Sequence, residues 1–114
     1  MDNNLLTVII PIYNVENFLR QCLDSLVMQT DTHFNVILVN DGSVDTSGSI
    51  AKEYSEKYTE LFSYYEQENK GLGAARNLGL KYVHTPYVTF LENGCLLDPS
   101  VIWVSELNRN ALLS

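Results

Sequence analysis

Basic residues are scarce in this chain: seven lysines and arginines stand against fourteen aspartates and glutamates, a net charge of −7. A field of that sign repels nucleic-acid phosphates and anionic membrane surfaces, so neither is an expected partner. A phosphate-bearing ligand would have to be met by a few placed cations or by a metal ion. Cysteine is almost absent. Cys22 and Cys95 form neither a disulfide framework nor a zinc-ligand pattern. No apolar stretch approaches the ~20 residues of a membrane-spanning helix, so no membrane span is expected. The opening Met1-Asp-Asn-Asn4 lacks the basic and apolar regions of a signal peptide, and a cytoplasmic setting is the expectation. Glycine is missing where a dinucleotide fold requires it. The segment after the first predicted strand reads Pro11-Ile-Tyr-Asn14, with no Gly-x-Gly-x-x-Gly. A phosphate-loop Gly-Lys-Ser/Thr and a nucleophile-elbow serine are absent as well, which removes nicotinamide-dependent dehydrogenases and P-loop nucleotide hydrolases from consideration.

What is present is an alternation of buried strands and helices. Val36-Ile-Leu-Val-Asn-Asp41-Gly-Ser43 is the organising stretch: a short apolar run, largely β-branched, that ends in turn and polar residues. Such a run reads as a strand covered on both faces, which belongs to a parallel sheet. Leu5 to Ile12, Phe34 to Asn40, Phe62 to Glu66 and Tyr87 to Leu91 are the four predicted strands, the first of them ending where Pro11 begins. Between the first two, Val15, Phe18, Leu19, Cys22, Leu23, Leu26 and Val27 recur at helical spacing, with Asn14 as the expected N-cap. A second, weaker helix carries Ile50, Ala51, Tyr54 and Tyr58, and Asp45 is a candidate cap for it. A helix of small residues opens near Ala74 and ends near Val83, and a last one is expected over Val101 to Leu112 after the start signal Asp98-Pro99. The order is that of a doubly wound α/β sheet forming one domain over residues 1–114.

Ligands of such sheets bind beyond the carboxyl ends of the strands. Four loops meet at that edge, carrying Pro11, Tyr13 and Asn14, then Asp41, Gly42 and Ser43, then Glu66 to Gly71, then Glu92 to Cys95. Asp41 has two readings, turn chemistry of an Asp-Gly pair or a ligand contact. Lys70 and Arg76 belong to the chain's small set of cations, and Arg76 lies one turn into a helix whose first amides can face an anion. A solvated lysine and an arginine lying along the helix surface are the alternative.

Taken together, Val8-Ile-Ile-Pro-Ile-Tyr-Asn14, Leu23-Asp-Ser-Leu26 with Gln29-Thr30, Val39-Asn-Asp-Gly-Ser43, Asn69-Lys-Gly71, Ala75-Arg-Asn77, Tyr87-Val-Thr-Phe-Leu91 and Leu97-Asp-Pro99 resemble family 2 glycosyltransferases of the GT-A fold, a Rossmann-like arrangement. Any one of these motifs is weak, but their order and spacing across nearly the whole chain are specific. The resemblance implies a nucleoside-diphosphate sugar as ligand, a UDP-sugar first among them, and transfer of a hexose to a hydroxyl of a glycan or glycoprotein acceptor with inversion. It implies that Pro11, Tyr13 and Asn14 line the base pocket and that Asp41, with Gly42 and Ser43, meets the base. It also implies that Lys70, Gly71 and Arg76 lie near the ribose and diphosphate.

A divalent cation, Mn²⁺ or Mg²⁺, is implied too, because charge on the leaving diphosphate must be stabilised. The family pattern Leu-Asp-x-Asp-Asp is replaced here by Leu91-Glu-Asn-Gly-Cys95. Glu92 stands in for the first carboxylate, Gly94 offers no ligand, and Cys95 is a poor partner for a hard cation. The acceptor-binding half of the family and its general base would come after the last helix, so no catalytic base is nominated among these residues. Trp103 and the apolar end of that helix are expected to pack on the later half or on a second copy in a homo-oligomer. The competing reading is a non-catalytic relative that has lost its metal site and serves in binding or assembly.

Overall fold

Four parallel strands set the frame: β1 (Leu6–Ile12), β2 (Phe34–Asp41), β3 (Phe62–Gln67) and β4 (Tyr87–Phe90), in the spatial order β3-β2-β1-β4. The computed structural model describes residues 4–28 and 33–91. Three helices connect the strands: α1 (Glu16–Val27), α2 (Ser47–Lys57) and α3 (Leu72–Leu80). The last predicted helix, its start at Asp98-Pro99, the Gln29-Thr30 pair and the Glu92–Cys95 loop lie outside the described residues.

Alternation along the strands decides which residues meet which helix. In β1, Leu6, Val8, Ile10 and Ile12 face the layer formed by α1 and α2, where Leu19, Leu23, Leu26, Ile50, Ala51 and Tyr54 complete the larger core. Ile9 of β1 and Ile37 and Val39 of β2 face the other way, onto Ala75 and Leu78 of α3. With helices on both faces, β1 and β2 are buried along their length, which is why they read as unbroken apolar runs. The α3 layer packs close because Gly79 lies against Ile9. A Cβ at residue 79 would meet Ile9 Cγ2 at 2.7 Å.

The predicted strands agree with the observed ones to within a residue at each end, except at Pro11. The first strand runs through it to Ile12, with Pro11 in register with Val39. Ile9 accepts from the Leu91 N–H on the β4 side, so the next odd residue, Pro11, also turns its nitrogen toward β4. The β1–β4 pairing ends at Ile9 and Phe90, so the N–H that proline lacks falls beyond the ladder and costs nothing there.

Three local expectations are corrected. Asn14 is not the cap of α1. It adopts a left-handed backbone conformation with φ 51°, and the helix begins at Glu16 after Val15. Phe18, read as part of the apolar stripe, is 55% exposed. Cys22 is buried in that stripe, as its spacing requires. The third helix starts at Leu72, two residues before the expected Ala74.

Candidate functional site

At the carboxyl edge, β1 and β2 hand over to two loops that fasten each other. The Asn14 N–H donates to Ser43 Oγ (3.1 Å), and the Val44 N–H donates to Asn14 Oδ1 (3.0 Å). The Val15 N–H donates to Ser47 Oγ (2.8 Å), and Ser47 is fully buried. Asp45 reaches both helices, accepting from the Glu16 N–H at Oδ2 (3.2 Å) and from the Ser47 N–H at Oδ1 (2.9 Å). Asn40 fixes the turn from behind. Its Oδ1 accepts from the Ser43 N–H (3.0 Å), and its Nδ2 donates to Tyr64 Oη (3.0 Å).

Asp41 ends β2 on the α3 face and is 2% exposed. Its Oδ1 accepts from Gln67 Nε2 (2.9 Å) and from the Lys70 N–H (2.8 Å), and its Oδ2 accepts from the Gly71 N–H (3.0 Å). Burial alone would push this carboxyl up. The donations from Gln67, Lys70 and Gly71 outweigh it and hold the group below the ordinary aspartate value of 3.8. Asp41 is therefore an ionised acceptor that ties the β3–α3 corner to the end of β2. Gly42 makes that junction close, with φ +71°, and a Cβ there would stand 2.7 Å from the Asn69 backbone nitrogen. Only glycine meets both conditions without strain.

Beside this carboxylate lies an open pocket of about 270 Å³ lined by Pro11, Tyr13, Asp41, Asn69, Gly71 and Leu72. Pro11, Tyr13 and Leu72 give it apolar and aromatic walls, Asn69 a polar amide, and Asp41 and the Gly71 corner one buried anion and a glycine backbone. That composition suits a flat heterocycle with an N–H donor. Four of the sequence-predicted residues, Pro11, Tyr13, Asp41 and Gly71, come together in the lining. Asn14, Gly42 and Ser43 stand behind it and shape the loops. Lys70 meets Asp41 through its backbone N–H. Arg76 sits away from the lining, toward β4, with its guanidinium carbon 5.8 Å from the Phe90 ring centroid. Glu92 lies outside the described residues, and among the described residues no group of three or more His, Cys, Asp or Glu side chains is arranged to hold a metal ion.

Sequence reasoning quoted Asn69 within the Asn69-Lys-Gly71 motif and Gln67 within the edge loop Glu66 to Gly71, but gave neither a role, and it did not single out Leu72 or Ser47. Gln67 was legible only as the residue opposite Asp41 once strand register is known. Ser47 looks in sequence like one more hydroxyl in a turn-rich stretch, and its partner lies thirty-two residues away.

A parallel sheet in the order β3-β2-β1-β4, with helices on both faces and a pocket at its carboxyl edge, is an α/β arrangement of the GT-A type. The model of glycosyl transferase family 2 matches residues 7–107 of the chain. Over 88 residues the chain is 53% identical to the glycosyltransferase GlyA of Streptococcus pneumoniae, covering 77% of this chain and 12% of that protein. It superposes on S. aureus TarS 1-349 in complex with UDP-GlcNAc with a TM-score of 0.75 and 28% identity, covering 95% of this chain and 30% of that one. The same TarS fragment in complex with UDP gives a TM-score of 0.74 at 28% identity, over 96% and 31%. The chain belongs to glycosyltransferase family 2. It spans less than a third of the length of each of these proteins. Among the described residues no helix is long and apolar enough to cross a membrane.

Proposed function

We propose that this chain is the donor-binding part of a glycosyltransferase that takes a nucleoside-diphosphate sugar, a UDP-sugar, and passes its hexose to a hydroxyl acceptor with inversion. The observation that carries this reading is Asp41: a buried, ionised carboxylate in the wall of a pocket it shares with Pro11, Tyr13, Asn69, Gly71 and Leu72. The TarS complexes support the donor class, since that relative is bound to UDP and to UDP-GlcNAc. In this reading the base enters between Pro11, Tyr13 and Leu72, and Asp41 accepts its ring N–H. The ribose and diphosphate run past Gly71 and the first amides of α3 toward the β4 side, where Arg76 supplies positive charge.

For the cation, Glu92 is the proposed ligand. Hard divalent ions are commonly held by one or two carboxylates together with substrate phosphates, so Glu92 would act jointly with the diphosphate. The cation would stabilise charge on the leaving group. A glycan or glycoprotein is the proposed acceptor class. Calorimetric titration with UDP, on the wild type beside Asp41→Asn, tests the reading. Binding by the wild type with at least a roughly tenfold loss in the variant is expected, and equal affinities would remove Asp41 from the site.

A further inference from the structure

Asp41 and Gln67 are Cα partners on neighbouring parallel strands, so their side chains leave the sheet on the same face and side by side. The consequence lies in the lone pairs. A carboxylate oxygen accepts about two hydrogen bonds. Oδ1 already has two protein donors, Gln67 Nε2 and the Lys70 N–H, and is saturated. Among the described residues Oδ2 has the Gly71 N–H alone, which leaves it one acceptor position for a ligand. Two of the three donors are backbone groups of the β3–α3 corner. The Gln67 amide is the one supplied by a side chain, and facing a carboxylate it can act only as a donor.

We infer that Gln67 is a positioning residue that sets base selectivity: it fixes the Asp41 carboxylate so that a single Oδ2 acceptor is offered to the pocket, favouring bases that carry a ring N–H over cytosine. The inference rests on the nucleotide reading above. Uracil presents N3–H to this acceptor, whereas cytosine presents a bare N3 lone pair, which an ionised carboxylate repels. Without the Gln67 donor, Oδ1 regains an open position and the carboxylate can turn about its terminal torsion, which is broad for aspartate. The donation also favours the ionised form, as the lowered titration of Asp41 reflects. Its loss therefore makes the protonated form more accessible, and a neutral acid can donate to cytosine N3. Selectivity would fall from both causes.

The test uses the whole chain, with UDP and CDP as probes, by calorimetry on the wild type, Gln67→Met and Gln67→Glu. Gln67→Met keeps length without a donor. Gln67→Glu is isosteric but sets a second carboxyl against Asp41, so that the donor is kept only when the pair shares a proton. Titrated at about pH 8, it provides the comparison should the methionine variant melt at the assay temperature. The wild type should prefer UDP over CDP by at least about tenfold. Each variant should lose about fivefold in UDP affinity while CDP is retained, so that the preference narrows. A merely structural role would weaken both nucleotides equally, and that result, or an unchanged UDP:CDP ratio, overturns the inference. A wild type that binds no UDP overturns the nucleotide reading itself, whereas wild-type binding with a ratio unaltered in the variants overturns only the role of Gln67.

Discussion

Glu16 and Thr46 stand at the starts of different helices and are joined by a side-chain hydrogen bond. Thr46 Oγ1 donates to Glu16 Oε2 at 2.8 Å, and Asp45, beside Thr46, accepts from the Glu16 N–H. The first amides of α1 thus find their acceptors in the loop that opens α2, thirty residues along the chain. This arrangement holds the Tyr13 loop against the end of β2, and so sets two walls of the pocket relative to each other.

Removing these caps should cost stability at two helix termini at once. Asp45→Ala should lower the unfolding free energy by about 1–2 kcal/mol. Ser47→Ala leaves the Val15 N–H buried without its acceptor and should cost about 1–3 kcal/mol. Urea denaturation of the two variants checks both. A midpoint equal to the wild type's in either would mean that the loops do not depend on these bonds.

Gly42 and Gly71 both have positive φ, yet they should respond differently to alanine. At Gly42 an added Cβ would strike the Asn69 backbone nitrogen at 2.7 Å, whereas at Gly71 it would meet nothing within 4 Å. Gly42→Ala should therefore both destabilise the fold and weaken UDP binding, because it pushes the β3–α3 corner away from Asp41. Gly71→Ala carries backbone strain without a clash, about 1–3 kcal/mol, since φ 100° with ψ 159° is a region open essentially to glycine alone. Denaturation midpoints and UDP titration of the pair give the comparison, and a Gly42→Ala variant as stable as Gly71→Ala would contradict the close junction.

Acid should unfasten the same edge. Asp41 and Asp45 both titrate below the ordinary aspartate value of 3.8; in each, burial opposes the shift and hydrogen bonds more than offset it. A lowered folded-state value means the stabilisation is complete above the unfolded-state value and is lost as pH falls through the folded one. The urea midpoint should thus hold from pH 7 to about 5 and fall steeply below about 4. Asp45→Asn should start lower and fall less. A wild-type midpoint that is unchanged down to pH 3 would contradict the assignment of these carboxylates.

Much of this was legible in the sequence, and particular residues show where legibility stopped. The strands around Ile9 and Ile37 declare themselves because burial on both faces leaves no room for polar residues. Pro11, Tyr13, Asp41 and Gly71 were readable because turn chemistry at strand ends marks the carboxyl edge of such a sheet. The role of Asn14 was misread because an asparagine before a helix is usually its cap. Here the cap comes from Asp45 and Ser47, and a hydrogen bond between segments thirty residues apart leaves no local signature. Gln67 was placed at the edge with Glu66 to Gly71, but its role was not legible, because only strand register sets it beside Asp41. Phe18 kept helical spacing but faces outward, since periodicity gives the stripe without its edges.

The most direct test of the central claim is calorimetric titration of the chain with UDP, first with Mn²⁺ and then with EDTA, beside Asp41→Asn. The account predicts one UDP per chain, weakened at least about tenfold in the variant, and tighter binding with Mn²⁺ if Glu92 joins the diphosphate around the ion. No heat with UDP or with other nucleoside diphosphates would contradict it, and would make this a family member that serves assembly rather than donor binding.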